Sequence, residues 1–362
     1  MRNIIKSNQG GRGIQKAGKS LQLQGLRAIG CFLVISSHSG FIGNGGMGNV
    51  IFFVMAGFLF VKPFSSKDYA FNSWRELLVY YLKKFVTLYL PFATVVVLSR
   101  ILLWNYSSIA PTWERFWWNI SLYNCFMHLW FFQQIIIIYA IVPILIFLHM
   151  LLRKITKWKY LDLIYGLFLI GLAALSYYFL KEKVFHLYMN FLPTKFKPEV
   201  FLVGMAFGYF YTLISHRKIV LSNKAQHIVS IIPFILIVMC FAINYIVRAL
   251  IIKNPPTIGW NYMLLTSIVI GVLVFTLSMV PNSWLGKILS IKPLVLIGDV
   301  SFVMYLIHAR FLNHFPTNEK WLKALLVYFV CFALAVMLQK CVFNPINDFA
   351  NKKIYTPILN KK

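Results

Sequence analysis

Arg27 and His38 are the residues whose types and positions most clearly suggest chemistry in this chain. Both lie in the apolar stretch that begins at Leu21, LQLQGLRAIGCFLVISSHSGF. Charged or titratable side chains inside a membrane-spanning segment are costly, so they are by default functional or paired. Eleven residues make close to three helical turns, which predicts that both side chains lie on one face, about 16 Å apart along the axis. The alternative for His38 is a hydrogen-bonded core histidine.

Two further histidines fall at a similar predicted depth. His128 begins the fourth apolar span and His308 lies near the end of the ninth, so with His38 they are all expected toward the outer face. Ser301, Tyr305 and His308 are spaced i, i+4 and i+7, which places them on one stripe of a helix. A catalytic zinc site also uses three such ligands. No acidic residue accompanies these histidines, so we expect a polar site without a metal.

Asp299 lies near the predicted cytoplasmic end of the ninth span. Two interpretations are open for it. Its carboxylate could pair with Arg27 at that depth, or it could cap the N-terminus of its helix, a position that favours aspartate.

The composition indicates an all-α polytopic membrane protein. Of 362 residues, 59% are hydrophobic and 12% are charged, and the mean hydropathy is +0.71, far more apolar than a water-soluble core requires. Apolar runs of roughly the length that spans a bilayer as a helix, about 20 residues, recur along the chain. The ten predicted spans are Leu21–Phe41, Gly48–Val61, Phe85–Trp104, Leu129–Leu152, Tyr160–Leu180, Val200–Ile214, Ile228–Ile252, Tyr262–Val280, Pro293–Leu312 and Trp321–Phe343.

The distribution of basic residues predicts the orientation of these spans. The chain has 36 Lys and Arg against 9 Asp and Glu, a formal net charge of +27. Most of the basic residues fall in alternate loops and in both tails, which by the positive-inside rule places both termini in the cytoplasm. A charge of this size could also indicate nucleic-acid binding. Basic loops beside apolar spans are the usual orientation signal, so we expect the lipid bilayer and no nucleic acid as a partner.

The same reasoning gives the domain organisation. Residues 1–20 are predicted to be a basic, flexible cytoplasmic tail, residues 21–345 the transmembrane domain, and residues 346–362 a basic cytoplasmic C-terminal tail. Residues 105–128 carry three tryptophans at helical spacing, which suits a helix at the membrane interface or a belt of aromatic residues without a catalytic role. The glycine-rich bend GFIGNGGMGN is expected to let the short second helix pack closely against the site.

The order of several short motifs resembles the acyltransferase-3 family of integral membrane acyltransferases, over about residues 21 to 345. The segments that carry the resemblance are LQGLRAIGCFLVISSH, GGMGNVIFFVMAGFLF, KKFVTLYLP, HLWFFQQIIIIYAIVP and SFVMYLIH. The resemblance implies about ten membrane helices and the transfer of an acyl group, commonly acetyl from acetyl-CoA, to a hydroxyl of an exported or surface carbohydrate. It also implies functional roles for Arg27, His38, His128 and Trp130.

Some positions depart from the family pattern. Gln24 stands where an acidic residue often precedes Gly-Leu-Arg, Asn49 and Val50 stand where an aspartate is common, and Ala56 replaces the usual serine of Ser-Gly-Phe. Thr87 stands where the basic cytoplasmic motif usually has a further arginine, and Phe302 where a tyrosine is frequent.

With this resemblance, the chain is expected to be an acyl-CoA-dependent O-acetyltransferase of the cell (plasma or inner) membrane. Arg27, Lys83 and Lys84 would hold the phosphates of acetyl-CoA, and His38 would act as general base on a hydroxyl of a carbohydrate or glycolipid acceptor. Tyr305, Ser301 or His128 could donate to the developing oxyanion, and His308 completes the catalytic set. An acyl-His38 intermediate is the variant mechanism.

A different class of function is the export or flipping of a lipid-linked glycan or small anionic substrate, because intramembrane charges also mark transport paths. Transporters commonly show repeated halves and broken helices, and the sequence has neither pattern. A structural scaffold would have no reason to keep Arg27 and His38 in an apolar span.

Overall fold

The computed structural model describes residues 20–43, 45–65, 71, 73–102, 112–123, 125, 127–156, 158–181, 197–215, 221–250, 263–312, 315 and 317–360. Within these ranges the chain is helical and has no β-strand. Six continuous helical segments among these residues are long and apolar enough to cross a membrane, three of them made of consecutive shorter helices, and three shorter apolar helices accompany them. The protein is therefore an all-helical, polytopic integral membrane protein.

The α-helices in chain order are α1 Leu21–His38, α2 Gly45–Val61, α3 Trp74–Lys84, α4 Leu90–Leu102, α5 Trp113–Ile120, α6 Trp130–Ile141, α7 Pro143–Thr156, α8 Leu161–Lys181, α9 Pro198–Ser215, α10 Asn223–Leu250, α11 Met263–Met279, α12 Trp284–Leu289, α13 Lys292–Phe311, α14 Lys320–Leu338, α15 Asn344–Ala350 and α16 Thr356–Asn360. The 3₁₀ turns are Lys62–Ser65 and Met127–Leu129, and single π-helical turns occur at Phe85–Tyr89, Gln339–Phe343 and Asn351–Tyr355.

Each predicted span overlaps a helix or a run of consecutive helices, while the count of ten and the orientation stay predictions. The third and tenth spans differ most from their predicted bounds. Helical structure of the third begins at Trp74 rather than at residue 85, because Ser73 accepts a hydrogen bond from the Glu76 backbone N–H and caps α3. Lys83 and Lys84 therefore lie on a helix and not in a loop. The tenth continues through α15 and α16, so residues 344–360 are helical.

Helix α1 packs against both α2 and α13. Gln24 lies beside Gly298 at one end of α1, and His38 contacts His308 at the other, so α1 and α13 run in the same direction. A side chain at Gly298 would collide with the Gln24 carbonyl group, and one at Gly48 would collide with the Gly30 carbonyl oxygen. The close approach expected from the glycine-rich start of α2 is thus confirmed, and two helices hold α1 tightly in place.

Helix α5 lies within the tryptophan-rich stretch and begins at a capped turn, where Thr112 accepts a hydrogen bond from the Arg115 N–H. Trp113 and Trp117 are exposed, while Phe116 is buried against the bundle. One exposed aromatic face and one buried face are typical of a helix that lies at a membrane interface.

The C-terminal helices pack against α3. Val79, Ala350 and Tyr355 form a small buried cluster, and the Tyr355 hydroxyl donates to the Leu82 carbonyl oxygen at 3.3 Å. The segment beyond residue 345 therefore buries apolar surface against the membrane domain.

Candidate active site

The structure brings together the three histidines that were predicted at one depth. His38 Nδ1 lies 2.7 Å from His308 Nε2, and the ring centroids of His128 and His308 are 4.7 Å apart, with ring planes at 62°. His38 ends α1, His128 lies in the 3₁₀ turn before α6, and His308 lies in the last turns of α13. Three segments far apart in sequence therefore meet in one cluster.

Access to this cluster is graded. His308 is 0% exposed and His128 is 5% exposed, whereas His38 is exposed. A molecule approaching from outside the bundle would meet His38 first. The described residues contain no group of three His, Cys, Asp or Glu side chains placed to hold a metal ion. The lone pairs of His38 and His308 do not converge, because these two rings are hydrogen-bonded to each other.

Tyr305 joins the histidine cluster, whereas the Ser301 hydroxyl is engaged elsewhere. Tyr305 is 2% exposed, and its hydroxyl lies 3.5 Å from the His128 carbonyl oxygen, at the long limit of a hydrogen bond. The Ser301 hydroxyl donates to the Gly298 carbonyl oxygen of its own helix at 2.8 Å. The stripe predicted on α13 is present, but only its last two members reach the cluster.

Trp130 follows the His128 turn at the start of α6 and lies in the aromatic packing beside the cluster. Its ring centroid is 6.5 Å from that of Phe53 and 6.3 Å from that of Phe131. Phe131 in turn packs 5.1 Å from Tyr305. Trp130 therefore supports the aromatic wall around the histidines.

Two cations meet toward the other end of α1 from His38, Arg27 on α1 itself and Lys84 at the end of α3. Arg27 and Lys84 are close enough for their charges to repel each other, and Lys84 Nζ lies 3.5 Å from the centroid of the Tyr139 ring. Arg27 also donates to the Gln24 side-chain oxygen at 3.4 Å. Two neighbouring cations inside a helical bundle form a site suited to an anion.

Asp299 is near enough to interact electrostatically with Arg27. It is eight residues into α13, whose N-cap residue is Ile291. The helix-capping interpretation of Asp299 is therefore wrong, and its interaction with Arg27 agrees with the first alternative.

Lys83 and Lys84 diverge, although they are adjacent. Lys83 Nζ lies 5.5 Å from the centroid of the Tyr355 ring on the C-terminal segment, so it faces a different part of the molecule from Arg27. The basic platform expected from sequence is thus divided between two faces of α3.

A further basic residue, Lys62, lies just beyond α2. Its amine donates to the Ser20 hydroxyl at 2.8 Å, and burial lowers the pKa of this amine.

Sequence reasoning did not single out Tyr139 or Glu199. Tyr139 supports Lys84, and its hydroxyl lies 3.5 Å from the Ala56 carbonyl oxygen. Glu199 is 1% exposed, and neither carboxylate oxygen has a hydrogen-bond partner among the described residues. The sequence offered only weak signals for these two residues. Tyr139 follows a run of isoleucines, and Glu199 stands beside an apolar run.

The fold and the site together define a class of protein. A bundle of membrane helices carries a histidine cluster around one end of α1 and a cation pair toward the other end, an arrangement suited to an acid–base reaction on a substrate with an anionic part. A family model described as an acyltransferase domain matches residues 20–340. The chain therefore belongs to the acyltransferase-3 family and is a membrane acyltransferase, which uses an acyl donor and an acceptor. Neither the curated proteins nor the solved structures that were searched gave a significant match.

Proposed function

We propose that this protein transfers acetyl from acetyl-CoA to a hydroxyl of a surface or lipid-linked carbohydrate. The enzyme would lie in the plasma or inner membrane, with ten spans and both termini in the cytoplasm. The observation that carries the proposal is that α1 joins two unlike groups, because His38 of the histidine cluster and Arg27 of the cation pair are about 16 Å apart along its axis.

The cation group is proposed to bind the phosphates of the donor. Arg27 and Lys84 would contact them by charge-assisted hydrogen bonds, and Lys83 would contribute from the other face of α3. The pantetheine arm of CoA is long and thin, comparable to the separation of Arg27 from His38. A donor held at the cations can therefore extend its thioester toward the histidines.

At the other end, His38 is proposed to act as general base. Its imidazole takes the proton of the acceptor hydroxyl as the hydroxyl oxygen bonds to the thioester carbonyl carbon. The carbon–sulfur bond then breaks, and the sulfur leaves as the CoA thiolate and takes up the proton from His38. No oxidant or further reactant is needed. Acylation of His38 itself is the variant in which the acceptor reacts in a second step.

Of the three candidate oxyanion donors, Tyr305 is best placed. Its hydroxyl makes only a long contact, whereas the Ser301 hydroxyl is bonded to Gly298 at 2.8 Å. His128 Nε2 is 3.2 Å from the Leu306 carbonyl oxygen, to which only an N–H can donate. In the neutral ring Nδ1 then has no proton to donate, so His128 is proposed to line the site beside His308.

Membranes carrying the wild type or the His38→Ala variant, given labelled acetyl-CoA and isolated cell-surface glycan, test the proposal. We expect labelled glycan with the wild type and none above background with His38→Ala. His227→Gln is the matched control, because His227 lies on α10, where Nδ1 accepts a hydrogen bond from the Trp284 N–H. Equal labelling by wild type and His38→Ala would refute the base role. Absence of labelling together with movement of glycan across vesicles would favour export.

A further inference from the structure

Both ring nitrogens of His308 have a hydrogen-bond partner, and together the partners fix its protons. Nδ1 lies 2.6 Å from the Tyr305 carbonyl oxygen, and Nε2 lies 2.7 Å from His38 Nδ1. A carbonyl oxygen can only accept, so the proton of this first bond must be on His308 Nδ1.

The charge state of His308 determines the second bond. The side chain is 0% exposed, and among the described residues its ring nitrogens contact the Tyr305 carbonyl oxygen and His38 but no carboxylate. Burying an unpaired imidazolium would cost far more than burying the neutral ring. In neutral His308, Nδ1 carries the one proton and Nε2 carries a lone pair. His38 Nδ1 must therefore be the donor to Nε2.

The relative orientation of the two rings agrees with this direction. The ring planes of His38 and His308 differ by only 12°, and the centroids are 4.9 Å apart. If the two rings lay edge to edge along the hydrogen bond, their centroids would be separated by the nitrogen–nitrogen distance plus the radius of each ring. The observed separation nearly equals that sum, so the rings lie edge to edge and are not stacked face to face. In that arrangement the Nδ1–H bond of His38 points along the in-plane lone pair of His308 Nε2, as a hydrogen bond requires.

From this geometry we infer that His308 is a positioning residue that holds His38 as its Nδ1–H tautomer. With the proton on Nδ1, the lone pair of His38 is on Nε2. Among the described residues, no group is hydrogen-bonded to that nitrogen. The two hydrogen bonds form a chain that runs from the Tyr305 carbonyl oxygen through His308 to His38. The partner of one ring nitrogen determines which nitrogen is free to react. Without His308, His38 would populate both tautomers, and only one would present its base at Nε2.

The inference rests on the proposed function for its catalytic consequence. The acceptor hydroxyl would give its proton to His38 Nε2 as the oxygen bonds to the acyl carbon. The resulting imidazolium of His38 would keep its Nδ1–H directed at the neutral His308 ring, which stabilises the charge without any proton leaving His308. The proton on Nε2 then goes to the departing CoA sulfur.

Two amide substitutions of His308 test whether its hydrogen bond to His38, and not merely the size or polarity of its side chain, is what matters. Glutamine places its amide oxygen near the former Nε2, where it can accept from His38 Nδ1–H, whereas asparagine reaches only the former Nδ1. We expect His308→Gln to keep kcat within about threefold of wild type and His308→Asn to lose at least about tenfold, because the His38 imidazolium also loses the hydrogen bond that stabilises its charge. KM for acetyl-CoA should be unchanged in both. Equal kcat values for the two variants, or a higher value for His308→Asn, would overturn the inference.

A spectroscopic measurement tests the tautomer without any substrate. Protein labelled with ¹⁵N-histidine and reconstituted in lipid is studied by solid-state NMR, and the His38 signals are assigned by their loss in His38→Ala. We expect a protonated Nδ1 and a bare Nε2 in the wild type and in His308→Gln, and a mixture of tautomers in His308→Asn. A wild-type His38 with its proton on Nε2 would overturn the inference even if the enzyme were active. The expected tautomer in a protein that transfers no acyl group would instead refute only the proposed function.

Discussion

Lys84 lies over the ring of Tyr139, with Nζ 3.5 Å from the ring centroid. An aromatic face stabilises a desolvated cation by roughly 2 kcal/mol, so the Tyr139 ring offsets part of the cost of placing Lys84 beside Arg27. Tyr139 is on α6 and Arg27 is on α1, so two helices set the position of the cation on α3. This contact holds Lys84 beside Arg27 in the proposed donor site, whereas Lys83 would contribute from the other face of α3.

Removal of the Lys84 charge should weaken donor binding. We expect Lys84→Met to raise KM for acetyl-CoA by roughly tenfold or more, because a hydrogen bond to a charged group contributes about 1.5–3 kcal/mol. Steady-state kinetics over a range of acetyl-CoA concentrations measure this change. Tyr139→Phe keeps the ring and should stay within about threefold, whereas Tyr139→Leu should approach Lys84→Met. An unchanged KM in Lys84→Met would remove Lys84 from the donor site.

Tyr305 and Ser301 should differ sharply when their hydroxyl groups are deleted. Tyr305→Phe is expected to lower kcat by roughly 10²–10³ with little change in KM, as is typical for the loss of an oxyanion donor. Ser301→Ala removes a hydroxyl that is bonded to Gly298 within the helix, so its kcat should stay within about threefold. Single-turnover rates of acetyl transfer compare the two variants, and similar losses in both would contradict the assignment.

Gly298 should be intolerant of any side chain. Gly298→Ala would place a methyl group against the Gln24 carbonyl group, and the helices must separate to accept it. Such overpacking typically costs about 1–3 kcal/mol, so we expect a lower melting temperature of the detergent-solubilised protein. The matched control is Gly171→Ala in the interior of α8, where nothing lies within 4 Å of the added carbon. That change should stabilise by roughly 0.5–1 kcal/mol, and a Gly298→Ala protein that melts with the control would refute the close approach.

The C-terminal helices should contribute to stability through Tyr355. This side chain is 2% exposed, between α3 and the end of the chain. Tyr355→Ala is expected to destabilise the protein by about 3–5 kcal/mol, as large core truncations of aromatic residues do. Phe349→Ala is the matched control, since Phe349 is 62% exposed and should shift the melting temperature little. Equal melting temperatures of the two variants would show that the C-terminal segment does not stabilise α3.

The meeting of the histidines was predictable, because each histidine occurs near the end of an apolar span whose orientation the loop charges predict. His38, His128 and His308 could therefore be assigned to one depth without knowledge of helix packing. Which of the histidines hydrogen-bond to each other was not predictable, because the bond from His38 to His308 depends on the register of α1 against α13. That register is set by the contact of Gly298 with Gln24, which has no local sequence signature.

Helix α3 was missed for a different reason. Four of its eleven residues are charged, Arg75, Glu76, Lys83 and Lys84, which lowers its hydropathy below that of the apolar span that follows. Ser73 and Glu76 have the spacing of a capping box, and Ser73 does cap the helix. The signal was present in the sequence, but it concerns backbone hydrogen bonds rather than hydropathy. Tyr139 carried no comparable signal, because only the packing of α6 on α3 gives it Lys84 as a neighbour.

The parallel course of α1 and α13 has a consequence for the direction of the proposed reaction. Both helices have their donor-side residues, Arg27 and Asp299, at one end and their histidines, His38 and His308, at the other. A carrier anchored by its phosphates at the first end would release its acyl group at the second without itself crossing the bilayer. The proposed chemistry is therefore vectorial, with the energy of thioester cleavage driving a small group across the membrane and no ion gradient required.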